Sequence, residues 1–334
     1  MYHGNKQVHR MFDNAPIAKM NDAAISSGLA FLNGELEKRD PKLYEPLTSV
    51  TWMRDITADT GGGWSEYTSN YFVDYSTTGS GTSGIVGGAT NDIPVMQANI
   101  TKDNFKVFSW ANILRIPFVD QKLLSSVGRS LDDILDKGIK LGWNKDLDTM
   151  TYEGFADLDV YGLVNNPLVE ATDVNVGAST EKSWRKKTPD EILDDINSVL
   201  VDTWSASEYD LTGMANHILI DPSSFAYITT RKVSEAGNVS ILTYILENNI
   251  AKNQGRDLVI VPCRWCSGAG SGSTNRMVAY VNEKEKIKID IPVMLSRVMT
   301  QPNVEQMAYL TAYAGQIGQV KVMYYQTIRY RDGI

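Results

Sequence analysis

Apolar side chains recur at helical spacing in two segments of the N-terminal half of the chain. Between residues 17 and 36 they fall on one helical face, and Asp40-Pro41 ends this predicted helix. Residues 120–141 predict a longer amphipathic helix, with Asp120 as its N-cap and Gly142 as its stop. The apolar stripe of the second helix consists of Leu123, Leu124, Val127, Leu131, Ile134, Leu135 and Ile139.

The segment that separates these two helices lacks helical periodicity and is rich in glycine. Glycines cluster at 61–63 and at 79–88, and a β-prone run with several aromatic residues lies between the clusters. Ile93-Pro94-Val95 begins a return arm, so the pattern predicts two extended strands joined by a glycine-rich tip. A strand advances about 3.3 Å per residue, which makes such a loop too long to pack on its own chain.

The C-terminal half carries clear helix-start signals. Residues 188–191 (Thr-Pro-Asp-Glu) form a capping box with proline at the first helical position. Residues 217–222 (HILIDP) predict a strand that runs into a proline-started helix. Asn238 is expected to cap a further helix.

Three segments of the same half read as strands. Apolar runs at 258–262 and 277–281 predict strands that are buried on both faces. Apolar and polar residues then alternate from 319 to 333, which predicts one long, half-exposed final strand. The mixture of helices and strands indicates an α+β protein, and a length of 334 residues suggests two domains or one domain with extensions.

Composition excludes several classes of protein. The formal net charge of −8 argues against wrapping of nucleic acid, because phosphate binding requires a basic surface. The sequence contains neither a signal peptide nor an apolar stretch long enough to span a membrane, so we expect a protein that is cytosolic at synthesis. Two cysteines do not make the disulfide framework of a secreted domain.

Three patterns resemble parts of active sites but lack the context that those sites require. Residues 79–84 (GSGTSG) fit a dinucleotide-binding expression, yet no helix start follows to hold a pyrophosphate. Cys263 and Cys266 form a CxxC pair without two further zinc ligands, so reduced loop thiols are favoured. His217 is expected to be a strand-edge residue rather than a general base. The sequence therefore predicts no catalytic residue, no metal site and no cofactor.

Two clusters of charge are expected to face solvent. The acidic cluster crowds one helix start, where it favours the positive end of the helix dipole. A solvated loop is favoured for the basic cluster over contact with DNA. The acidic cluster is Asp190, Glu191, Asp194 and Asp195, and the basic cluster is Lys182, Arg185, Lys186 and Lys187 around Trp184.

The order of the predicted elements resembles the Hong Kong 97-type fold of tailed-bacteriophage major capsid proteins and encapsulins. The shared order is an N-terminal arm and helix, a long glycine-tipped loop, a long amphipathic helix, a mixed region and a final strand. The resemblance covers about residues 17–334. Four segments also resemble it in sequence: LTSVTWMRD at 47–55, IPVMQ at 93–97, YGLVNNP at 161–167 and IRYRDG at 328–333.

The resemblance implies a division of the chain into the parts that are named in this fold. They are an N-terminal arm and helix at 1–45, an E-loop with flanking strands at 46–105, a P-domain with its spine helix (about 120–141) at 106–167, an A-domain at 168–295, and a return to the P-domain with the long final strand at 296–334.

In this fold the E-loop reaches over a neighbouring subunit, which would explain a loop that its own chain does not support. The residues expected to contact the neighbour are Trp64, Tyr67, Tyr71, Phe72 and Tyr75. Some members cross-link their subunits through a lysine in the E-loop. Residues 55–101 contain no lysine, so a non-covalent shell is expected.

The resemblance also implies a function and partners. The chain is expected to be a structural protein of the virion rather than an enzyme, and to assemble with itself into hexamers and pentamers. These would form an icosahedral or prolate head that encloses double-stranded DNA without sequence specificity. A separate scaffolding protein, a portal and a decoration protein are further expected partners, with assembly in the host bacterial cytoplasm and no membrane. Lys6, Arg10 and Lys19 are the candidates to face the DNA.

Two alternatives remain open from the sequence. An encapsulin-type nanocompartment has the same fold and binds its cargo partly through an N-terminal helix, such as the one predicted at 17–36. A cytosolic α/β enzyme with a lid loop is the alternative from another class. A stable monomer with a ligand-filled cleft would favour that second alternative.

Overall fold

The computed structural model describes residues 48–78, 93–126, 131–234 and 237–334. The predicted N-terminal arm, the helix at 17–36 and the glycine-rich tip with its GSGTSG pattern lie outside the described residues. The described helices are α1 (Trp52–Asp55), α2 (Phe118–Ser126), α3 (Leu131–Tyr152), α4 (Pro189–Ala206), α5 (Pro222–Thr230), α6 (Ile241–Asn248) and α7 (Ile250–Asn253). The described strands are β1 (Thr57–Thr60), β2 (Tyr67–Thr78), β3 (Val95–Pro117), β4 (Ala171–Asp173), β5 (His217–Ile220), β6 (Val259–Pro262), β7 (Arg276–Tyr280), β8 (Ile287–Ile291), β9 (Val293–Asn303), β10 (Ala308–Gly318), β11 (Val320–Val322) and β12 (Ile328–Asp332).

These strands form three sheets, which confirms the predicted α+β class. The strand orders are β1-β8-β11, β2-β3-β10-β9 and β4-β12-β7-β5-β6. Because β3 is 23 residues long, it pairs with β2 through its first half and with β10 through its second half. The four-stranded sheet therefore continues outward as a pair of strands.

The five-stranded sheet is buried on both faces along β5, which lies between β7 and β6. Ile218 and Ile220 pack with α4 and α6, whereas Leu219 belongs to a second apolar cluster around Trp143 and Tyr330. The strand predicted within 217–222 is confirmed as β5, and its burial on both faces is a finding of the structure.

The predicted capping box and the proline-started helix are both present. The hydroxyl of Thr188 accepts a hydrogen bond from Glu191 N at 3.3 Å, and the Glu191 carboxylate accepts one from Thr188 N at 2.7 Å. Asp221 caps α5 by accepting from Ser223 N and Ser224 N at 3.0 and 3.1 Å.

The cap of α6 and the burial of β6 were predicted wrongly. Ser240, not Asn238, caps α6, because its hydroxyl accepts from Thr243 N at 3.2 Å while the Asn238 side chain accepts from Lys232. β6 lies at the edge of its sheet, so Val259 is 46% exposed rather than buried.

The long amphipathic helix is present, but its predicted bounds were wrong. Helical structure begins at Phe118, before Asp120, and α3 continues through Gly142 to Tyr152; residues 127–130 between α2 and α3 are not described. Trp143, Leu147 and Met150 extend the apolar stripe into the core. The free energy gained by this packing exceeds the cost of Gly142 in a helix interior, which is about 1 kcal/mol relative to alanine.

The predicted long final strand was also wrong. Residues 320–322 pair with β8, a 3₁₀ turn follows at 325–327, and β12 pairs with β4 and β7 in a different sheet. Most of the segment is buried rather than half-exposed: Lys321 is buried against the buried Asp290, and Arg331 is buried while it pairs with the partly exposed Asp202. Because charged residues at alternate positions are also typical of a strand with one face in solvent, the sequence pattern did not distinguish the two cases.

The turn at 161–167 requires a glycine. A Cβ atom on Gly162 would lie 2.3 Å from the carbonyl carbon of Tyr152. The turn closes as Gly162 N donates to Asn165 Oδ1 at 2.8 Å and Leu163 N donates to Thr151 O at 2.8 Å.

We expect Gly162→Ala to lower the free energy of unfolding by about 3 kcal/mol, because backbone atoms of Tyr152 would have to move. Gly138→Ala is the matched control. Its Cβ would meet no atom within 4 Å, and alanine favours a helix interior, so unchanged or slightly higher stability is expected. Urea unfolding of the unassembled subunit measures both. Equal unfolding midpoints for the two variants would contradict the requirement for glycine.

Candidate inter-subunit surface

An antiparallel pair of strands extends from the four-stranded sheet. β2 pairs with Val95–Lys106 of β3 over twelve residues without a register shift. We call this pair the ribbon. Residues 95–104 are all exposed, and most of β2 is exposed or half-buried. Two strands without a packed face are marginally stable in water, so the ribbon lacks the burial that would normally support it.

The two faces of the ribbon differ in chemistry. Side chains alternate between faces along a strand, so odd-numbered residues of β2 share one face with even-numbered residues of β3. We call this the tyrosine face. Its large apolar and aromatic members, each at least half exposed, are Tyr67, Tyr71, Val73, Tyr75, Met96 and Ile100.

The charges on the ribbon are segregated by face. Lys102 and Lys106 lie on the tyrosine face, at its base, and Lys102 Nζ lies 5.8 Å from the centre of the Tyr71 ring. Asp74 and Asp103 lie on the opposite face. The tyrosine face thus combines exposed apolar area with positive charge, which suits an apolar surface that carries acidic or carbonyl oxygen atoms.

The sequence-predicted contact residues do not all lie on this face. Tyr67, Tyr71 and Tyr75 do, whereas Phe72 is half-buried on the opposite face and Trp64, 63% exposed, precedes the ribbon. Val73, Met96 and Ile100 were missed. Its odd number within β2 would identify Val73, whereas Met96 and Ile100 can be identified only from the register of β3 against β2, which depends on the position of the turn. Lys6, Arg10 and Lys19 lie outside the described residues.

The base of the ribbon is fixed by side chains from residues 316–323, at the end of β10 and in and after β11. The Gln316 side chain bonds both polar atoms of the Ser65 backbone: Ser65 N donates to Oε1 at 3.0 Å, and Nε2 donates to Ser65 O at 2.9 Å. The buried ammonium group of Lys321 lies 4.9 Å from the centre of the Phe105 ring. Asn70 Nδ2 contacts Met323 Sδ at 2.7 Å. These contacts orient the ribbon relative to the sheets.

A buried polar network lies where the chain enters β1. Asp55 is fully buried, and its carboxylate accepts from Arg54 Nε and Nη2 at 2.6 and 2.8 Å and from the Tyr152 hydroxyl. His217 Nε2 lies 3.4 Å from Asp55 Oδ1, and the Tyr280 hydroxyl donates to Asp55 O. Burial by itself would raise the pKa of Asp55, but the hydrogen bonds from Arg54, His217 and Tyr152 outweigh it and lower that pKa.

A second buried carboxylate extends the same network. Asp148 accepts from Thr51 N and Trp52 N at 2.8 and 3.1 Å, and from Arg264 Nη2 and Trp265 Nε1 at 3.1 and 3.0 Å. Asp55 and Asp148 therefore tie the segment before the ribbon to α3, β5, β7 and the turn after β6.

His217 was wrongly predicted to lie at a strand edge. It begins β5, which pairs with β6 and β7 on its two sides, and it is 5% exposed. Its partner Asp55 is fully buried as well, so the pair is part of the core.

The two cysteines that the sequence singled out are close together in the core. Cys263 and Cys266 are free and buried, and the hydrogen bond to Cys263 together with burial raises the pKa of the Cys266 thiol, as inert reduced cysteines require. The described residues contain no group of three metal-binding side chains. Among the described helices, none combines the length and apolar content needed to cross a bilayer.

Solvent exposure was predicted wrongly for part of both charge clusters. Lys187 and Asp195 form a buried ion pair at 2.5 Å, and Trp184 Nε1 donates to Asp195 at 3.0 Å. A buried ammonium group needs such a partner, so this lysine is not available to DNA.

Comparison with known proteins identifies a family and a set of similar structures. A sequence profile of the family described as major capsid protein matches residues 81–334. The capsid of Myoviridae phage XM1 is similar in structure, with a TM-score of 0.74 and 15% sequence identity over 90% of this chain and 98% of that chain. No curated protein sequence matches the chain.

Other solved structures share the fold at lower similarity. One from Microbacterium phage Oxtober96 has a TM-score of 0.59 and 14% identity over 93% of this chain and 98% of that chain. The capsid of a native GTA particle has a TM-score of 0.61 and 9% identity over 94% of this chain and 99% of that chain.

Proposed function

The chain belongs to the major capsid protein family, and on that premise we propose that its ribbon joins neighbouring copies into the capsid shell. It is a structural protein of a tailed-bacteriophage virion and has the Hong Kong 97-type fold. The family match disfavours the encapsulin alternative. We further propose that the protein has no catalytic role.

One observation carries the proposed role of the ribbon. Tyr67, Tyr71 and Tyr75 of the tyrosine face are 62%, 67% and 69% exposed. The side-chain contacts that fix the ribbon to the described part of its own subunit lie at its base. Burial of this exposed apolar surface against a partner would stabilise the ribbon, and in a shell a neighbouring copy of the chain is always present as that partner. Trp64, which precedes the ribbon, and Phe72, on its opposite face, remain proposed contacts outside the tyrosine face.

We propose that the chain contains the named parts of this fold, and that the ribbon forms most of the E-loop region at 46–105. The arm and helix take 1–45, the P-domain 106–167, the A-domain 168–295 and the return segment 296–334. β9 and β10 extend the sheet of β3, which supports a return to the P-domain. β12 pairs with β4 and β7, so we group this strand with the A-domain.

The proposed assembly consists of hexamers and pentamers in an icosahedral or prolate head that forms in the host bacterial cytoplasm. A separate scaffolding protein, a portal and a decoration protein are the proposed partners. Double-stranded DNA would lie inside without sequence-specific contacts, and Lys6, Arg10 and Lys19 remain candidates to face it.

We propose that the shell is non-covalent. The ribbon includes two lysines beyond the lysine-free segment 55–101, but Lys102 lies over Tyr71, and Lys106 Nζ donates to Leu158 O at 3.1 Å. Both ammonium groups therefore have partners within their own subunit.

Expression of the chain, with its scaffolding protein if required, is expected to give megadalton particles by size-exclusion chromatography and shells by negative-stain microscopy. A denaturing gel of these particles is expected to show a single band near 37.1 kDa. A stable monomer under all assembly conditions would contradict the proposed function. A ladder of covalent multimers would contradict only the non-covalent joint.

A further inference from the structure

β2 has one backbone edge without a strand partner among the described residues. β3 pairs with the other edge of β2 along all twelve residues, and β2 ends the strand order of its sheet. A free edge presents a row of unpaired N–H and C=O groups that can pair with another strand.

The residues whose backbone faces the free edge follow from two hydrogen bonds. Val107 N donates to the directly opposite Glu66 O at 3.3 Å, which makes Glu66 and Val107 a hydrogen-bonded pair. Lys106 O accepts from Gln319 N at 3.2 Å, so this carbonyl points away from β2. Bonded and non-bonded pairs alternate, so even-numbered residues of β2 bond to β3. The N–H and C=O groups of its odd-numbered residues, from Tyr67 to Thr77, point to the free edge.

The two edge strands of the four-stranded sheet, β2 and β9, differ in sequence. β9, the opposite edge, carries Arg297 and Pro302 and has two register shifts against β10, all features that hinder pairing with another chain. β2 contains no proline, lysine or arginine, keeps one register over its whole length, and has Asp74 as its single charged residue. Among the described strands, β9 therefore carries features that hinder pairing with another chain, and β2 does not.

We propose that the free edge of β2 pairs with an extended segment of a neighbouring copy of this chain, which turns the ribbon into a sheet of at least three strands in the shell. The inference rests on the proposed role of the ribbon as an inter-subunit contact. A third strand supplies the support that two exposed strands lack. The occupant is a second copy because a shell holds every copy beside others, and an edge with one charge selects its partner through the backbone rather than through ion pairs.

Proline substitution separates the two edges of β2. In Ser69→Pro/Thr77→Pro, the lost N–H groups face the free edge, where proline is tolerated in an edge strand. The subunit is expected to keep its circular dichroism spectrum, and the yield of shells is expected to fall at least tenfold. Ser69→Ala/Thr77→Ala keeps both N–H groups and is expected to assemble normally. Ser76→Pro removes a bond to β3 and is expected to loosen the ribbon in the unassembled subunit.

Hydrogen exchange on the unaltered protein tests the same inference without a mutation. Amides of Ser69, Tyr71 and Val73 are expected to exchange at least tenfold more slowly in shells than in unassembled subunits. Amides of Asn70 and Phe72, which already bond to β3, are expected to change less. Shells formed from purified chain alone would identify the occupant as a second copy.

The outcomes distinguish this inference from the proposed function. Normal shells from the proline variant, with unprotected odd-numbered amides, would overturn edge pairing and leave the contact through the tyrosine face intact. Protection of the odd-numbered amides in the unassembled subunit would assign the edge to a segment of the same chain. Protection that appears only after another protein is added would assign it to that protein. Both of these results overturn the inference.

Discussion

Replacing Tyr67, Tyr71 and Tyr75 together with serine is expected to abolish shell formation and leave the subunit folded. The three side chains are each more than 60% exposed in the subunit, so their loss removes little internal packing. Burial in an interface would contribute about 2 kcal/mol per tyrosine, or roughly 6 kcal/mol for each ribbon. That sum corresponds to roughly a 10⁴-fold weaker association between two copies.

The opposite face of the ribbon provides the matched control. Asp74→Ser/Gln97→Ser/Asn99→Ser removes three exposed polar side chains from the same two strands. This variant is expected to assemble at close to the unaltered yield, measured by sedimentation and negative-stain microscopy. Deletion of residues 61–88 sets the baseline of no assembly. Shells of normal yield from the tyrosine variant would refute the tyrosine face as the contact surface.

Local signals allowed correct predictions wherever the residues that decide a structure are close in sequence. The capping box at Thr188 and the Asp221-Pro222 helix start are completed within four residues, and both are present. The two arms of the ribbon were also predictable, because no alternative apolar pattern competes with the β-prone run. The tip between them lies outside the described residues.

Predictions failed where distant contacts decide the structure. Helix α3 passes Gly142 because Trp143 packs against β10, where a Cβ on Gly315 would lie 2.7 Å from the indole ring. Lys321 is buried because Asp290, thirty-one positions away, supplies its counter-charge. The alternation of residues 319–333 carries no sign of the contact between Lys321 and Asp290, so the pattern of a broken, mostly buried segment predicted one half-exposed strand.

The contact surface was predicted only in part for the same reason. Tyrosines at 67, 71 and 75 are spaced by four, and any strand places such residues on one face. Phe72 is also aromatic, but it has an even number in β2 and therefore lies on the opposite face. Ile100 and Met96 join the face through the register of β3 against β2, which depends on the length of the intervening tip.

Asp55→Asn is expected to lower the free energy of unfolding by at least 3 kcal/mol. The substitution removes the charge that Arg54 and His217 face and replaces an acceptor of the Tyr152 hydroxyl with an amide. Because α1 leads directly into β1 and the ribbon, shells of this variant are also expected to be fewer. Asp59→Asn is the matched control, since Asp59 is a partly exposed carboxylate with two lysine partners, and a loss of about 1 kcal/mol is expected.

The difference between the unaltered protein and Asp55→Asn should depend on pH in a defined direction. The folded subunit holds the pKa of Asp55 below its ordinary value, so folding favours the ionised carboxylate. This contribution is fully present above the unfolded pKa of about 3.9 and is lost as the pH falls through the lower, folded pKa. The two proteins are therefore expected to differ in urea midpoint by a constant amount from pH 5 to 7, and to converge below about pH 4. A difference that grows on acidification would mean that Asp55 is protonated in the folded subunit, and that the network around it is held by hydrogen bonds rather than by charge.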